Sequence, residues 1–219
     1  MIQPNTFGFL KELSENNNRE WFNEHKVNYE RARDDFAAFV NALISKIETF
    51  DHHLTGLSAK ECLFRIYRDI RFSKNKNPYK TNFGAYIAFG GRKSNYAGYF
   101  IHLSPSNCFI GSGMYKPGTP VLRKIRQEID YNPIHLKRII HNRDFVNTFG
   151  KIQGEQLATA PQGYPKDHPE IELLKFKSFF VMHNFNDQVL LEQNALEYCT
   201  NIFKMAFPFN RFFNETFIS

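Results

Sequence analysis

The sequence predicts an α+β fold with long N-terminal helices, a central antiparallel meander of about four to five strands, and C-terminal helices packed on the sheet. Two observations support this prediction. Apolar residues recur at helical spacing near both ends of the chain, whereas aromatic-rich runs separated by turn residues fill its middle. Helices that precede and follow a block of strands are typical of α+β domains. Because the sequence contains no internal repeat and no low-complexity linker, we expect residues 1–219 to form a single domain.

The N-terminal quarter of the chain is predicted to be helical. A first helix spans residues 5–15, where apolar side chains share one face. A longer run over residues 19–51 keeps the same spacing, and Asn18 is placed to cap it. This run is predicted to be either one long helix or two collinear helices with a break near residues 26–29.

The middle of the chain is predicted to form the sheet. Residues 62–66 are predicted to be its first strand, and residues 67–80 to be irregular because they are rich in turn-forming residues. The later strands are predicted at residues 83–89, 96–103, 108–114 and 178–185. The short links between the first three of these favour antiparallel pairing.

Further helices are predicted on both sides of the last strand. They span about residues 120–129, 133–141 and 144–149, followed by a short helix that ends near residue 175 and a last helix that begins near residue 187 or 192. The spacing of Asp167 and Glu170 predicts a capping box at the start of the short helix. Pro208 is expected to kink or end the last helix, because proline lacks an N–H group and crowds the preceding turn.

The composition is that of a soluble globular protein, with 42% hydrophobic and 23% charged residues. No apolar run reaches the roughly 18 residues that cross a bilayer, and the first residues lack the basic and apolar segments of a signal peptide. We therefore expect a cytoplasmic protein with no membrane partner. Its three cysteines lie far apart and form no C-x-x-C pair, which favours buried, reduced thiols.

Positive charge is concentrated in one segment, residues 65–80. This segment holds six basic residues and one acid, Asp69, so its local charge is +5, whereas the net charge of the whole chain is +6. Aromatic side chains alternate with the charged ones. The positive balance of the chain is therefore a local feature, which makes this segment the leading candidate for a binding site.

The basic segment predicts a site for a small anionic ligand that carries a phosphate or a carboxylate. Arginine grips such groups at two points and lysine adds a point charge, while tyrosines supply walls. Gly111 and Gly113 end a predicted strand where a ligand could approach the backbone, and the helix that carries Arg126 begins near the same end of the sheet. The candidate ligand-binding residues are Arg65, Tyr67, Arg68, Arg71, Lys74, Tyr79, Lys80, Tyr115 and Arg126.

Three other interpretations of these residues stay open. The arginines could brace the loop internally through carboxylates such as Glu20, Glu24 or Asp69. The interleaved basic and aromatic residues also fit a nucleic-acid surface, although one short segment supplies few phosphate contacts. Alternatively, the chain could be a structural or interaction module in which exposed aromatic residues at 209–217 dock a partner.

No pattern in the sequence predicts a catalytic or metal site. The eight histidines form neither His-x-His nor His-Glu-x-x-His, and no Gly-x-Ser-x-Gly motif is present. The sequence therefore predicts no metal and no cofactor, and it leaves open whether the protein catalyses a reaction.

Several motifs are similar to the hallmark segments of one protein family. The most specific is Arg65-x-x-Arg68-Asp-Ile-Arg-Phe-Ser-Lys-x-Lys-x-Pro-Tyr-Lys80. The others are Asn18-Arg-Glu-Trp-Phe22, Gly98-Tyr-Phe-Ile-His102, Gly111-Ser-Gly-Met-Tyr115, Leu122-x-x-Ile-Arg126 and Asp167-His-Pro. On these residues the chain resembles, over nearly its whole length, a conserved hypothetical family, domain of unknown function 2461. The resemblance implies a single α+β domain, and it implies no activity, cofactor or site residue.

Overall fold

In the computed structural model, which describes residues 1–217, helices pack on an antiparallel sheet. The helices are Pro4–Glu15 (α1), Arg19–Glu24 (α2), Lys26–Ile47 (α3), Ala59–Cys62 (α4), Thr119–Tyr131 (α5), Pro133–Ile140 (α6), Arg143–Phe149 (α7), Ile171–Leu174 (α8), Gln188–Leu191 (α9) and Ala195–Glu215 (α10). The strands are Phe83–Ile87 (β1), Gly98–Leu103 (β2), Cys108–Met114 (β3) and Phe179–Phe185 (β4). The predicted order of helices, meander and helices on the sheet is confirmed.

The strands form an antiparallel meander in which each pairs with the next, in the order β1-β2-β3-β4. Ala85, Ile101 and Ile110 lie side by side in the first three strands and fix their register. Each of these strands, and β4, overlaps the segment predicted for it. Turn residues in the links, including a short 3-10 turn at Gly91–Lys93, let the chain reverse directly into the neighbouring strand.

The two faces of the sheet have different surroundings, because successive side chains of a strand point to opposite sides. On one face Ala85, Ile101, Ile110 and Val181 are fully buried. The long helix α3 packs against β1 and the last helix α10 packs against β3, so the core lies between these helices and this face. Full burial of a large aliphatic side chain contributes about 1.5–3 kcal/mol. The opposite face carries the cavity described in the next section.

The long N-terminal run divides into two helices at His25, close to the predicted break, so the two-helix alternative is confirmed. Asn18 caps α2 as predicted, since its side chain accepts a hydrogen bond of 2.9 Å from the backbone N–H of Trp21. At the break, Nδ1 of His25 lies 2.8 Å from the carbonyl oxygen of Trp21 and donates to it. The imidazole thereby satisfies a carbonyl at the end of α2.

The strand predicted at residues 62–66 is wrong. Ser58 and Glu61 form a capping box that draws the following residues into the short helix α4. Beyond α4 the chain runs extended but makes only an isolated bridge, between Leu63 and Ala85 in β1. The apolar alternation of this segment therefore reflects its contact with the edge of the sheet rather than a strand of its own.

Pro208 does not end the last helix, because α10 continues through Pro208 to Glu215. This part of the prediction for Pro208 is wrong. Phe203, Phe209 and Phe213 are fully buried on both sides of the proline. Their packing outweighs the roughly 3 kcal/mol that an interior proline costs a helix. Tertiary packing thus overrides the local signal.

Two further expectations for the C-terminal half are wrong. The N-cap of α8 is Glu170 rather than Asp167, because the Glu170 carboxylate is held by Lys137 and its backbone N–H donates to His168 at 3.0 Å. The aromatic residues at 209–217 do not form an exposed patch either. Phe209, Phe212 and Phe213 are buried, and Phe217 is half-buried.

All three cysteines are free and buried, as predicted. Burial raises the pKa of each thiol to about 12, so they stay protonated at neutral pH and are weak nucleophiles. Within residues 1–217, no helix combines the length and the apolar character needed to cross a membrane.

Candidate functional site

Residues 67–79 form a hairpin-like loop, here called the basic loop, whose base is tied together by backbone hydrogen bonds. The N–H of Arg68 donates to the carbonyl of Pro78 at 2.9 Å, and Tyr67 and Tyr79 form a bridge. The ring of Tyr79 is buried and stacks on Phe22 of α2 at a centroid distance of 3.9 Å. The base of the loop is therefore packed against the N-terminal helices.

Most of the cations in the basic loop are used within the loop itself. The guanidinium of Arg71 holds Asp69 at two points, at 2.9 and 2.7 Å, which raises the pKa of Arg71 and lowers that of Asp69. Arg68 donates to the carbonyl of Asn77 at 3.1 Å, and Lys76 donates to the carbonyl of Ile70 at 3.1 Å. Internal bracing is thus present, through Asp69 and backbone carbonyls instead of Glu20 and Glu24.

The other predicted residues outside the cavity have separate surroundings. Arg65 and Lys74 are exposed and form no hydrogen bond or ion pair with any residue that the structure describes. Tyr67 is half exposed and meets Phe22 edge-on. Arg126 donates to the carbonyls of Leu174 and Phe176, at 2.8 and 3.4 Å, and so holds the end of α8 rather than pointing to the loop.

A cavity of about 660 Å³ lies on the face of the sheet that is turned away from α3 and α10. This volume lies within the usual range for small-molecule sites, about 300–1,000 Å³. Two of the nine predicted residues, Lys80 and Tyr115, line it. Its apolar lining consists mainly of Phe64, Tyr86, Tyr96, Phe100, Phe109, Met114, Pro117, Phe180 and Met182, and its uncharged polar residues are Asn82, Ser94, Asn95 and Ser112.

Two glycines lie in tightly packed parts of the sheet beside the cavity, and one of them, Gly113, lines it. At Gly113 the backbone φ is 119°, and a Cβ atom would lie 2.2 Å from the carbonyl oxygen of Phe179 in β4. At Gly98 a Cβ atom would lie 2.6 Å from the carbonyl oxygen of Ile87. Only glycine fits at these two positions, because the neighbouring backbone approaches too closely for any side chain. The strand end at Gly113 is therefore a crowded crossing of the backbone, and it lies beside the cavity.

The hydroxyl of Tyr86 joins two sides of the cavity. It lies 2.8 Å from the carbonyl oxygen of Tyr96 and 3.0 Å from that of Gly113, and donates to them. Burial raises the pKa of Tyr86, so the phenol stays neutral at any physiological pH. Tyr86 therefore acts as a fixed tie between β1 and the ends of the neighbouring strands, and its hydroxyl is occupied.

The charged residues of the cavity are three cations, Lys80, Arg92 and Lys116, and no acid among residues 1–217 lines it. The ammonium of Lys80 lies 5.5 Å from the ring centroid of Phe64, and that of Lys116 lies 5.3 Å from the ring centroid of Tyr115. One nitrogen of Arg92, Nη1, donates at 3.1 Å to the carbonyls of Lys60 and Glu61 at the end of α4. The cavity thus combines aromatic walls with a positive rim.

Partial burial lowers the pKa of two groups near the cavity. It lowers the pKa of Lys80, and the neighbouring positive charge of Arg65 lowers it further. It also lowers the pKa of His102 to about 4, so this imidazole is neutral at pH 7. His102 stacks on Phe109 at 4.5 Å and adds to the aromatic surface rather than to the charge. An anion beside Lys80 would offset the cost of holding that ammonium away from water.

Sequence reasoning did not single out Arg92, Lys116 or the phenylalanines of the sheet as site residues. A usable signal was present, because residues that alternate along a strand share one face. Phe100 and Phe109 lie on the same face of adjacent strands as Gly113, and Phe180 lies on that face of β4. Arg92 and Lys116 each lie a few residues beyond the end of a strand that contributes to this face. Both cations lie outside the predicted strands and helices, so they were not considered.

The geometry defines a class: an α+β protein with a positively charged, aromatic cavity on one face of an antiparallel meander. No group of His, Cys, Asp or Glu in the described part of the chain could hold a metal ion. The chain belongs to the family described as conserved hypothetical protein (DUF2461), whose model matches residues 5–212. No curated protein and no solved structure matches the chain.

Proposed function

We propose that this is a cytoplasmic protein that binds a small ligand with an aromatic or apolar body and a phosphate or carboxylate group in the cavity of the sheet face. The observation that carries the proposal is the charge of the lining, three cations without an acid. Cations in the cavities of proteins usually have acidic side chains as partners. In this cavity the anionic group of the ligand would be that partner.

Two features of the cavity support an anion-bearing aromatic ligand. The walls are mostly aromatic rings, which favour stacked or edge-on contact with a flat apolar body. The ammonium of Lys80 is partly buried without an ion pair, so an anion there would gain more than it would at a fully exposed lysine. In this proposal Lys80 and Tyr115 contact the ligand, Arg65 adds positive charge beside Lys80, and Arg68, Tyr79 and Arg126 maintain the surrounding structure.

The proposal is tested with a panel of aromatic carboxylates and aromatic phosphates, screened by thermal shift and measured by calorimetry. A ligand at about 100 times its Kd should stabilise the protein by about 2.7 kcal/mol. Lys80→Gln should weaken the binding of each hit by about tenfold, because it removes a charge-assisted contact of about 1.5 kcal/mol. The matched control is Lys74→Gln, which removes an exposed, unpaired lysine of the basic loop outside the cavity.

Unchanged affinity of the hits in Lys80→Gln and Lys116→Gln would contradict the proposal. A hit that loses the same affinity in Lys74→Gln as in Lys80→Gln would also contradict it, because the effect would then come from general positive charge rather than from the cavity.

A second candidate function, binding of single-stranded nucleic acid, is supported by one observation. Phe72 at the tip of the basic loop is 96% exposed and lies between Arg71 and the unpaired Lys74. Exposed aromatic rings beside cations are typical of surfaces on which bases stack. This function requires a steep loss of affinity between about 50 and 200 mM salt and a clear loss in Phe72→Ala. Absence of a gel shift with single-stranded DNA or RNA at low salt would exclude it.

A further inference from the structure

The strand register indicates that the cavity is a long groove. Phe64 donates its N–H to Gly84 at 3.0 Å and lies one strand outside β1, while Tyr115 directly follows β3. Gly84 pairs with His102, which in turn pairs with Phe109. Phe64 and Tyr115 are thus separated by three strand spacings of about 4.8 Å and by about six residues of about 3.3 Å each along the strands, which places their backbones roughly 24 Å apart. The groove runs diagonally between them.

The middle of this groove is aromatic. The ring of Phe100 lies 6.1 Å from that of Phe64 and 5.7 Å from that of Phe109. At the other end the ring of Phe180 lies 5.7 Å from that of Tyr115. A ligand in the groove therefore meets aromatic rings from one end to the other, which favours a flat, apolar central part.

The two ends of the groove each carry a cation without a carboxylate partner among residues 1–217. At the Phe64 end this is Lys80, with Arg65 close enough to lower its pKa. At the Tyr115 end it is Lys116. The pKa of the exposed Glu155 is lowered mainly by Lys177 and to a smaller extent by the charge of Lys116. Glu155 already pairs with Lys177 at 2.7 Å. Each end of the groove thus offers a cation that can bind one anionic group of a ligand.

We propose that the ligand of this groove is an elongated aromatic dianion, with a flat centre over Phe100 and one anionic group at each end, bound by Lys80 and Lys116. This inference rests on the proposed function and names its ligand class. A compact ligand with one charge would reach one end only, whereas a ligand with two anionic groups would pair with both the partly buried ammonium of Lys80 and the exposed ammonium of Lys116.

The test uses two probes that differ by one carboxylate. They are the para-substituted biphenyl dicarboxylate, with one carboxylate on each ring, and biphenyl carboxylate, with one carboxylate in all. Calorimetry on the full chain should give a Kd for the dicarboxylate at least tenfold below that of the monocarboxylate. Lys80→Gln and Lys116→Gln should each remove this advantage, whereas Lys74→Gln should preserve it. Thermal unfolding of each variant without probe checks that it is folded.

The outcomes separate this inference from the proposed function. If both probes bind with similar Kd values, the site takes one anionic group, so the inference is overturned and the proposed function stands. If the dicarboxylate advantage survives in Lys116→Gln, the second anion lies elsewhere and the inference is overturned. If neither probe binds, the inference is again overturned, and the ligand panel with Lys80→Gln decides the proposed function independently.

Discussion

The basic loop and the cavity hold the same kinds of residue and use them differently. In the basic loop, Arg68, Arg71 and Lys76 donate to groups of the same loop. In the cavity, Lys80 and Lys116 lie over aromatic rings and form no ion pair with any described residue. The density of charge along a sequence therefore does not measure the charge that a ligand can reach. Nearby acids and carbonyls within a turn-rich segment take up its cations first.

The two regions also differ in how they are supported. The floor of the cavity is a four-stranded sheet with a packed core behind it, whereas the tip of the basic loop carries the almost fully exposed Phe72. A rigid support holds a binding geometry more closely than an exposed loop does. Substitutions in the floor should therefore cost stability, and substitutions in the loop should not.

The largest effect is expected for Gly113→Ala. The added methyl group would lie 2.2 Å from a backbone oxygen of β4, at a φ that alanine disfavours. We expect a loss of about 3 kcal/mol in the free energy of unfolding, measured by urea denaturation. The control is Gly111→Ala in the same strand, where the nearest atoms lie 3.6 Å away and the loss should stay within about 1 kcal/mol. Equal losses in the two variants would contradict a crowded floor at Gly113.

A smaller effect is expected for Tyr86→Phe. The substitution removes the hydroxyl that donates to the carbonyls of Tyr96 and Gly113, and it leaves these groups with one donor fewer. The expected loss is about 1–2 kcal/mol in the free energy of unfolding. Tyr115→Phe is the matched control, because Tyr115 also lines the cavity but is 66% exposed and its hydroxyl forms no hydrogen bond within residues 1–217. A loss in the control as large as in Tyr86→Phe would show that the tie is unimportant.

Much of the fold could be predicted from local sequence signals. Asn18 caps α2, and the apolar alternation of residues 98–103 and 108–114 marks two neighbouring strands. The errors arose where tertiary contacts outweigh such signals. Pro208 stays inside α10 because the buried Phe203, Phe209 and Phe213 hold the helix on both sides of it.

The candidate site was harder to predict, because it is assembled by strand register. Lys80 and Tyr115 were predicted to belong together, and both line the cavity. Arg71 was included for its charge, yet Asp69 two residues earlier engages it. Whether an arginine of the basic loop binds a ligand or pairs with a neighbouring acid depends on side-chain geometry in an irregular loop. Sequence periodicity does not determine that geometry. Lys116 was overlooked because its role depends on the pairing of β3 with β4.

A measurable difference between the two regions is proton uptake on binding. Burial and Arg65 lower the pKa of Lys80 in the free protein, and a bound anion should raise it again. Binding should therefore take up protons in the alkaline range between these two pKa values, and affinity should fall as the pH rises through that range. Calorimetry in two buffers of different ionisation enthalpy measures the uptake. It should vanish in Lys80→Gln and persist in Lys74→Gln, and uptake that persists in Lys80→Gln would assign the titration to another group.

The smallest effect is expected for Arg71→Gln, and it gives the sharpest comparison of the two regions. Arg71 and Asp69 form an exposed ion pair, which water and salt screen, so its loss should leave the urea midpoint unchanged. Ligand affinity should also be unchanged, because Arg71 does not line the cavity. Lys80→Gln removes one positive charge from the same segment and should weaken binding about tenfold. If Arg71→Gln weakens binding as much as Lys80→Gln does, the ligand is held by the basic loop, and the cavity is not the binding site.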